Sequence, residues 1–252
     1  AYTKYSKYFL TQKTLMVVLG IGFYYLIGFD GIIYGLVLSF VPYTILIFRE
    51  FKETKIDFSL LKTRRGFIVN NYVMGISGRT SSTIDKLVIA PLLGFALLGN
   101  YSLALQLFVI LLIVPTIIYK YLLPLDSSGV LNKKLRQTTI TLSVGIAVLG
   151  IVLFPYVIPN FFPKFIDAID AIQIMSIAII PATITLLYTS KLLGLEKSKF
   201  VLTAQIISAS TLIAGFIILG PVFGIMGLAS VFVLSVTLEA VLLLCITKIK
   251  KF

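Results

Sequence analysis

Ten side chains able to carry charge or exchange hydrogen bonds crowd one otherwise apolar stretch: Asn70, Asn71, Ser77, Arg79, Thr80, Ser81, Ser82, Thr83, Asp85 and Lys86. Guanidinium and ammonium groups hold anions, amides and hydroxyls hydrogen-bond neutral polar groups, and a carboxylate takes a proton or a cation. Other chemistries are excluded by residue type. The chain has no His and a single Cys, Cys245, so it offers no imidazole base, no Cys/His metal cluster and no internal disulfide. No GxxxxGK[ST] stretch occurs either, so no ATP-driven motor is encoded in it. The expectation is a protein that is not an enzyme, with no cofactor and no metal site, whose polar residues bind rather than react.

Read as a helix at 100° per residue, the stretch places Asn71, Gly75, Gly78, Ser82 and Asp85 within about 40° of one line, with Arg79 and Lys86 on one shoulder and Asn70 and Ser81 on the other. Val73, Ile76, Ile84 and Leu87 take the opposite side. Such a helix has a wet half and a greasy half, as a span bordering a water-filled cavity requires. Arg79 lies about 20 Å along the helix from Gly66, deep in a bilayer. Asp85 is about 240° round from it and cannot pair with it in a straight helix. Arg79 therefore has three readings: an ion pair with another span, a contact to a substrate anion, or snorkelling to a headgroup. Glu239 is the other embedded acid, with Ser235 one turn away. It is either a structural or protonated group or, like Asp85, a candidate for coupling to a proton or cation.

The elements that must hold these groups follow from composition. Of 252 residues, 58% are hydrophobic and only 13% charged, with a mean hydropathy of +1.04, against about a quarter charged in soluble domains. The chain reads as an all-α, polytopic membrane protein. About eight transmembrane helices are expected, near 14–28, 31–48, 66–93, 97–123, 138–160, 166–190, 200–219 and 223–247. The first borrows Tyr8 to Lys13, is retained rather than cleaved as a signal peptide, and ends at the hairpin turn Gly28-Phe29-Asp30-Gly31.

The 22 basic residues fall unevenly about those spans. Nineteen lie on one side, including Lys4, Lys7, Arg49, Lys62, Arg65, Lys120, Lys133, Lys134, Arg136, Lys191 and Lys248, and Lys164 is alone on the other. By the positive-inside rule the crowded side and both ends of the chain are cytoplasmic, in the cell membrane. The net charge of +12 then reports topology and attraction to anionic membrane lipids, and nucleic acid is rejected as a partner. Residues 1–48 are read as two helices of one bundle, 49–65 as a cytoplasmic connector and 66–252 as a six-helix lobe. The stretch near 124–137 reads as a simple turn. Pro42, Pro115, Pro155 and Pro181 sit inside spans, where each frees a carbonyl and permits a bend.

The run from Ser82-Thr83-Ile84-Asp85-Lys86 to Leu98-Gly99-Asn100-Tyr101-Ser102-Leu103-Ala104 resembles the signature of polysaccharide-biosynthesis flippases between their seventh and eighth helices. These are the Wzx-type, O-antigen-transporter members of the multidrug/oligosaccharidyl-lipid/polysaccharide exporter superfamily. Lys191-Leu192-Leu193-Gly194-Leu195-Glu196-Lys197-Ser198-Lys199 is similar to the family's basic loop after the tenth helix. Phe223-Gly224-Ile225-Met226-Gly227-Leu228-Ala229-Ser230 is similar to the opening of its twelfth. Phe161-Phe162-Pro163-Lys164-Phe165 stands where the family often has Phe-Gly-x-x-Tyr, with Pro163 and Phe165 as departures. The resemblance covers residue 66 onward and implies the last two helices of one six-helix lobe followed by a complete second lobe. A chain lacking the first four helices, beginning here at Ala1, is therefore expected.

The resemblance implies a carrier without ATPase activity that moves a polyprenyl-phosphate-linked oligosaccharide between leaflets, working beside a glycan polymerase or glycosyltransferase complex. Arg79 and Lys86 would then meet phosphate, and Asn70, Asn71 and Ser82, with Asp85, would meet sugar hydroxyls. Two other functions compete. One is an ion-coupled multidrug exporter of the same superfamily, which would use Asp85 and Glu239, and the other is a non-transporting membrane scaffold of a glycan assembly complex.

Overall fold

The computed structural model describes residues 2–53, 65–130 and 132–249, and of residues 2–6, 45, 46, 50, 53 and 77–85 it describes the backbone alone. Among the described residues every long element is an α-helix and there is no strand. The chain divides into two compact units, Ala1–Leu60 and Leu61–Phe252. The division falls in the charged stretch 49–65, whose residues 54–64 lie outside the described ones.

The first unit holds α1 (Tyr2–Ile27), α2 (Phe29–Ser39) and α3 (Val41–Glu53). Gly28, at φ 79°, turns the chain between α1 and α2, the hairpin expected from its sequence. The two helices then run against each other closely: a Cβ at Gly35 would stand 2.5 Å from the backbone nitrogen of Gly20. Small residues permit this approach, which membrane helix pairs use because packing rather than water exclusion holds them together. Gln12 is buried and its amide donates to Ser39 Oγ at 3.3 Å. Most large apolar side chains of this unit, such as Tyr25, Leu26, Phe29 and Ile33, face outward.

The second unit holds α4 (Arg65–Leu93), α5 (Phe95–Leu111), α6 (Ile113–Ser127), α7 (Lys133–Phe161), a 3-10 turn (Pro163–Phe165), α8 (Ala168–Ile177), α9 (Ile179–Gly194) and α10 (Ser198–Ile249). Helix α8 is its axis: Ala168, Ala171, Ile172 and Met175 are fully buried, and α5, α7 and α10 pack against it. Two edge-to-face aromatic pairs tie α5 to α10, Tyr101 with Phe216 at 5.5 Å and Phe108 with Phe232 at 4.9 Å. Each adds about 1 kcal/mol beyond its buried area.

Proline sets two of the breaks. It lacks an N–H, so the carbonyl four residues earlier has no intrahelical partner and the helix bends there. Helix α5 stops at Leu111, four residues before Pro115, and α8 stops at Ile177, four before Pro181. The two resulting pairs are bent by 49° and 43°. Pro155, by contrast, lies inside an unbroken α7. Helix α10 folds back at Gly224, which at φ 56° and ψ −135° leaves the helical region. Its two arms lie antiparallel, with Ser208 Oγ donating to the Ser235 carbonyl at 2.9 Å.

The expectation of about eight spans is met only in part. Four stretches are long and apolar enough to cross a bilayer, Lys7–Ile27, Phe29–Arg49, Lys133–Phe161 and Ser198–Ile249, or six if each bent pair is one span. Two features separate this from eight. Helix α4 carries too many polar residues to count, and Ser198–Ile249 is one stretch by extent although it turns back at Gly224.

Candidate functional site

Helix α4 runs unbroken from Arg65 to Leu93, so the polar stretch is helical over its whole length. Its described ends show which way it faces. Asn71 is half-buried, and Ile89, five turns further along the same line, is fully buried. Val73, Ile76 and Leu87, on the side read as greasy, are exposed at 39%, 50% and 69%. The apolar side thus faces outward, as a lipid-facing surface does, whereas the line read as wet is covered at Asn71 and Ile89 and open at Gly75 between them.

The start of α4 is anchored by Met74, which is buried with Leu192, Val201, Ala204 and Leu243. The Asn71 side-chain amide donates to the Phe67 carbonyl at 2.8 Å, so one of its donors is spent on its own helix. Asn70 is half-buried beside it. Lys86 lies sixteen residues beyond Asn70, about 24 Å along the axis. There it lines a cavity of about 440 Å³ with Ser102, Leu105, Gln106, Val109 and Ile110 of α5. The Lys86 ammonium, the Ser102 hydroxyl and the Gln106 amide are the polar part of this lining, and the α5 aliphatics are the apolar part.

The structure therefore does not gather all the residues expected to bind substrate. Asn70 and Asn71 are not among the residues lining the Lys86 cavity, because a helix this long separates them by more than four turns. The side chains of Arg79, Ser82 and Asp85 lie outside the described residues. Ser102 and Gln106 were not singled out as binding residues from sequence. The signal was present, since Gln106 stands one turn after Ser102 in an otherwise apolar helix.

Glu239 is half-buried on the second arm of α10, with the Ser208 hydroxyl of the first arm within hydrogen-bonding reach of its carboxyl. Gln205, one turn before Ser208, has a buried Oε1 with no hydrogen-bond partner. The acid thus belongs to a polar seam between the two arms. Among the described residues no three of His, Cys, Asp and Glu come close enough to hold a metal ion.

A second polar cluster was not visible in the sequence. The stretch near 124–137 is more than a turn: α6 continues through Pro124 to Ser127, which puts Asp126 on its last turn at 4% exposure. Arg136, on the first turn of α7, grips that carboxylate with Nη2 at 2.6 and 2.5 Å from its two oxygens. Arg136 Nη1 donates to the Leu187 carbonyl of α9 at 2.6 Å, and the Ser190 hydroxyl donates to Asp126 Oδ2. Three helix ends meet at one carboxylate. Gly194 lets α9 approach this closely, since a Cβ there would stand 2.7 Å from the Asp126 carbonyl carbon. The Asp126–Arg136 pair is ten residues apart across a helix break, outside the i,i+4 spacing that sequence reading detects.

No family model matches the chain, and neither a curated protein nor a solved structure is found to match it.

Proposed function

We propose that the protein is a multi-pass carrier of the cell membrane that moves a polyprenyl-phosphate-linked oligosaccharide between leaflets by alternating access, without hydrolysing ATP. The observation that supports this best is the cavity of about 440 Å³ that takes Lys86 from α4 and Ser102 from α5. These residues come from the two ends of the stretch that resembles the flippase signature, and in the fold they share one concavity. An ammonium beside a hydroxyl and an amide suits a phosphate that carries a sugar. The apolar α5 wall suits the prenyl chain next to it.

Helix breaks at Leu112, Ala178 and Gly224 give the second unit places where a few torsions can change while packed segments stay rigid, as alternating access requires. In this reading the bent pairs and the two arms of α10 each cross the membrane, the total is about eight spans, and both ends of the chain are cytoplasmic. Arg79 serves as the deeper cation and Lys86 as the one nearer the outer surface. A glycan polymerase or glycosyltransferase complex supplies or takes the cargo.

The test uses the full-length protein in liposomes. Movement of a fluorescent isoprenyl-pyrophosphoryl oligosaccharide is compared with gradient-driven export of a cationic dye. Glycolipid flux that falls at least tenfold in Arg79→Ala and in Lys86→Gln, with both variants still inserted, is the expected result. Dye export without glycolipid movement would replace this reading with an ion-coupled multidrug exporter and turn attention to Asp85 and Glu239. Full glycolipid flux from both variants would sink the assigned roles, and movement of neither cargo would leave a scaffold.

A further inference from the structure

A second concavity opens between α7 and α9, beside the Asp126 clasp, with a volume of about 270 Å³. Its polar rim is Lys133, Arg136, Gln137 and Lys191, and Ile140, Leu187 and Tyr188 form its apolar wall. Three cations therefore border one pocket, no acid is among its lining residues, and the nearby Asp126 carboxylate is already gripped by Arg136. Lys191 lies within electrostatic range of Arg136 and Lys133 as well as Asp126, so the three cations of the rim act on one another. The Nε of Arg136 is buried and makes no hydrogen bond, which leaves a donor of the clasp itself unused. Like charges held this close raise one another's energy, and an anion between them relieves that cost.

From this geometry we infer that the pocket is a phosphate-binding site, with Lys133 and Lys191 as the two ligating cations. The apolar wall selects among phosphate carriers: Ile140, Leu187 and the ring of Tyr188 continue from the charged rim as the first methylenes of an acyl chain would. The group bound is then the phosphate of an anionic phospholipid, seated at the inner leaflet. That depth rests on the orientation proposed above, whereas the affinity for phosphate does not. The site shares no residue with the Lys86 cavity, so a lipid held here is not the cargo.

The intact protein in detergent, examined by native mass spectrometry with phosphatidylglycerol, phosphatidylcholine or inorganic phosphate, tests this directly. Phosphatidylglycerol should bind in preference to phosphatidylcholine, and Lys133→Gln and Lys191→Gln should each lower its occupancy about fivefold. Lys134→Gln and Lys199→Gln, each of which removes one charge from an exposed lysine outside the pocket, should leave it unchanged. Inorganic phosphate that competes with the lipid would identify the phosphate as the recognised group. Phosphate binding that is lost in the pocket variants, with no lipid preference, would keep the site and assign it a soluble phosphate. Equal binding of the two lipids with no phosphate binding, or equal losses from the pocket and control variants, would overturn the proposal. Glycolipid flux is a separate readout, so failure here and failure of the carrier reading are told apart.

Discussion

At the residue scale the best-defined chemistry is the clasp on Asp126. A carboxylate at 4% exposure is largely shielded from water, and its oxygens accept instead from one guanidinium nitrogen, Nη2, and a serine hydroxyl. Such a pair is worth little against a well-packed apolar replacement, but breaking it on one side strands the other charge. Asp126→Ala should therefore lower unfolding stability in detergent by about 3 kcal/mol. Asp126→Ala combined with Arg136→Met should recover most of that loss, as measured by a double-mutant cycle. A loss in the double variant as large as in the single one would show that the clasp acts through packing alone. None of this was legible beforehand, because both residues counted as ordinary cytoplasmic charges. Lys86 was legible as a polar intruder in an apolar run, but its α5 partners Ser102 and Gln106 became apparent only once two helices were packed together.

At the scale of elements, the sequence carried more. The hairpin at Gly28 and the full extent of the polar helix could be read from turn residues and apolar runs, and Pro115 and Pro181 marked the two bends. The return of α10 at Gly224 was anticipated as a gap between spans near 220. That turn gives a test of mechanism. A Cβ at Gly224 would meet only Leu97, at 3.9 Å, so Gly224→Ala has room and its cost is the φ of 56° alone. About 1–3 kcal/mol is expected. Gly227 is helical, but a Cβ there would run into the Leu219 carbonyl oxygen, so Gly227→Ala must push the arms of α10 apart. Thermal unfolding should show a modest loss for the first variant, and cross-linking between the two arms should be weakened only by the second. What the sequence could not supply was depth of packing: no periodicity distinguishes α8, the most buried helix, from its neighbours.

At the scale of the whole molecule, the outward surface is the governing fact. Side chains such as Tyr25, Phe29, Leu87, Phe95 and Ile218 are more than half exposed across both units, far more apolar area than a water-soluble surface tolerates. The protein should stay with the membrane fraction through alkaline carbonate washing and be released only by detergent, and release by carbonate alone would contradict a spanning chain. The clasp also bears on how the chain is made. Asp126 and Arg136 are ten residues apart, whereas Ser190 follows Asp126 by sixty-four. In chain order Arg136 is therefore the first partner within reach of the carboxylate, and the hydroxyl that completes the clasp comes from a helix synthesised later.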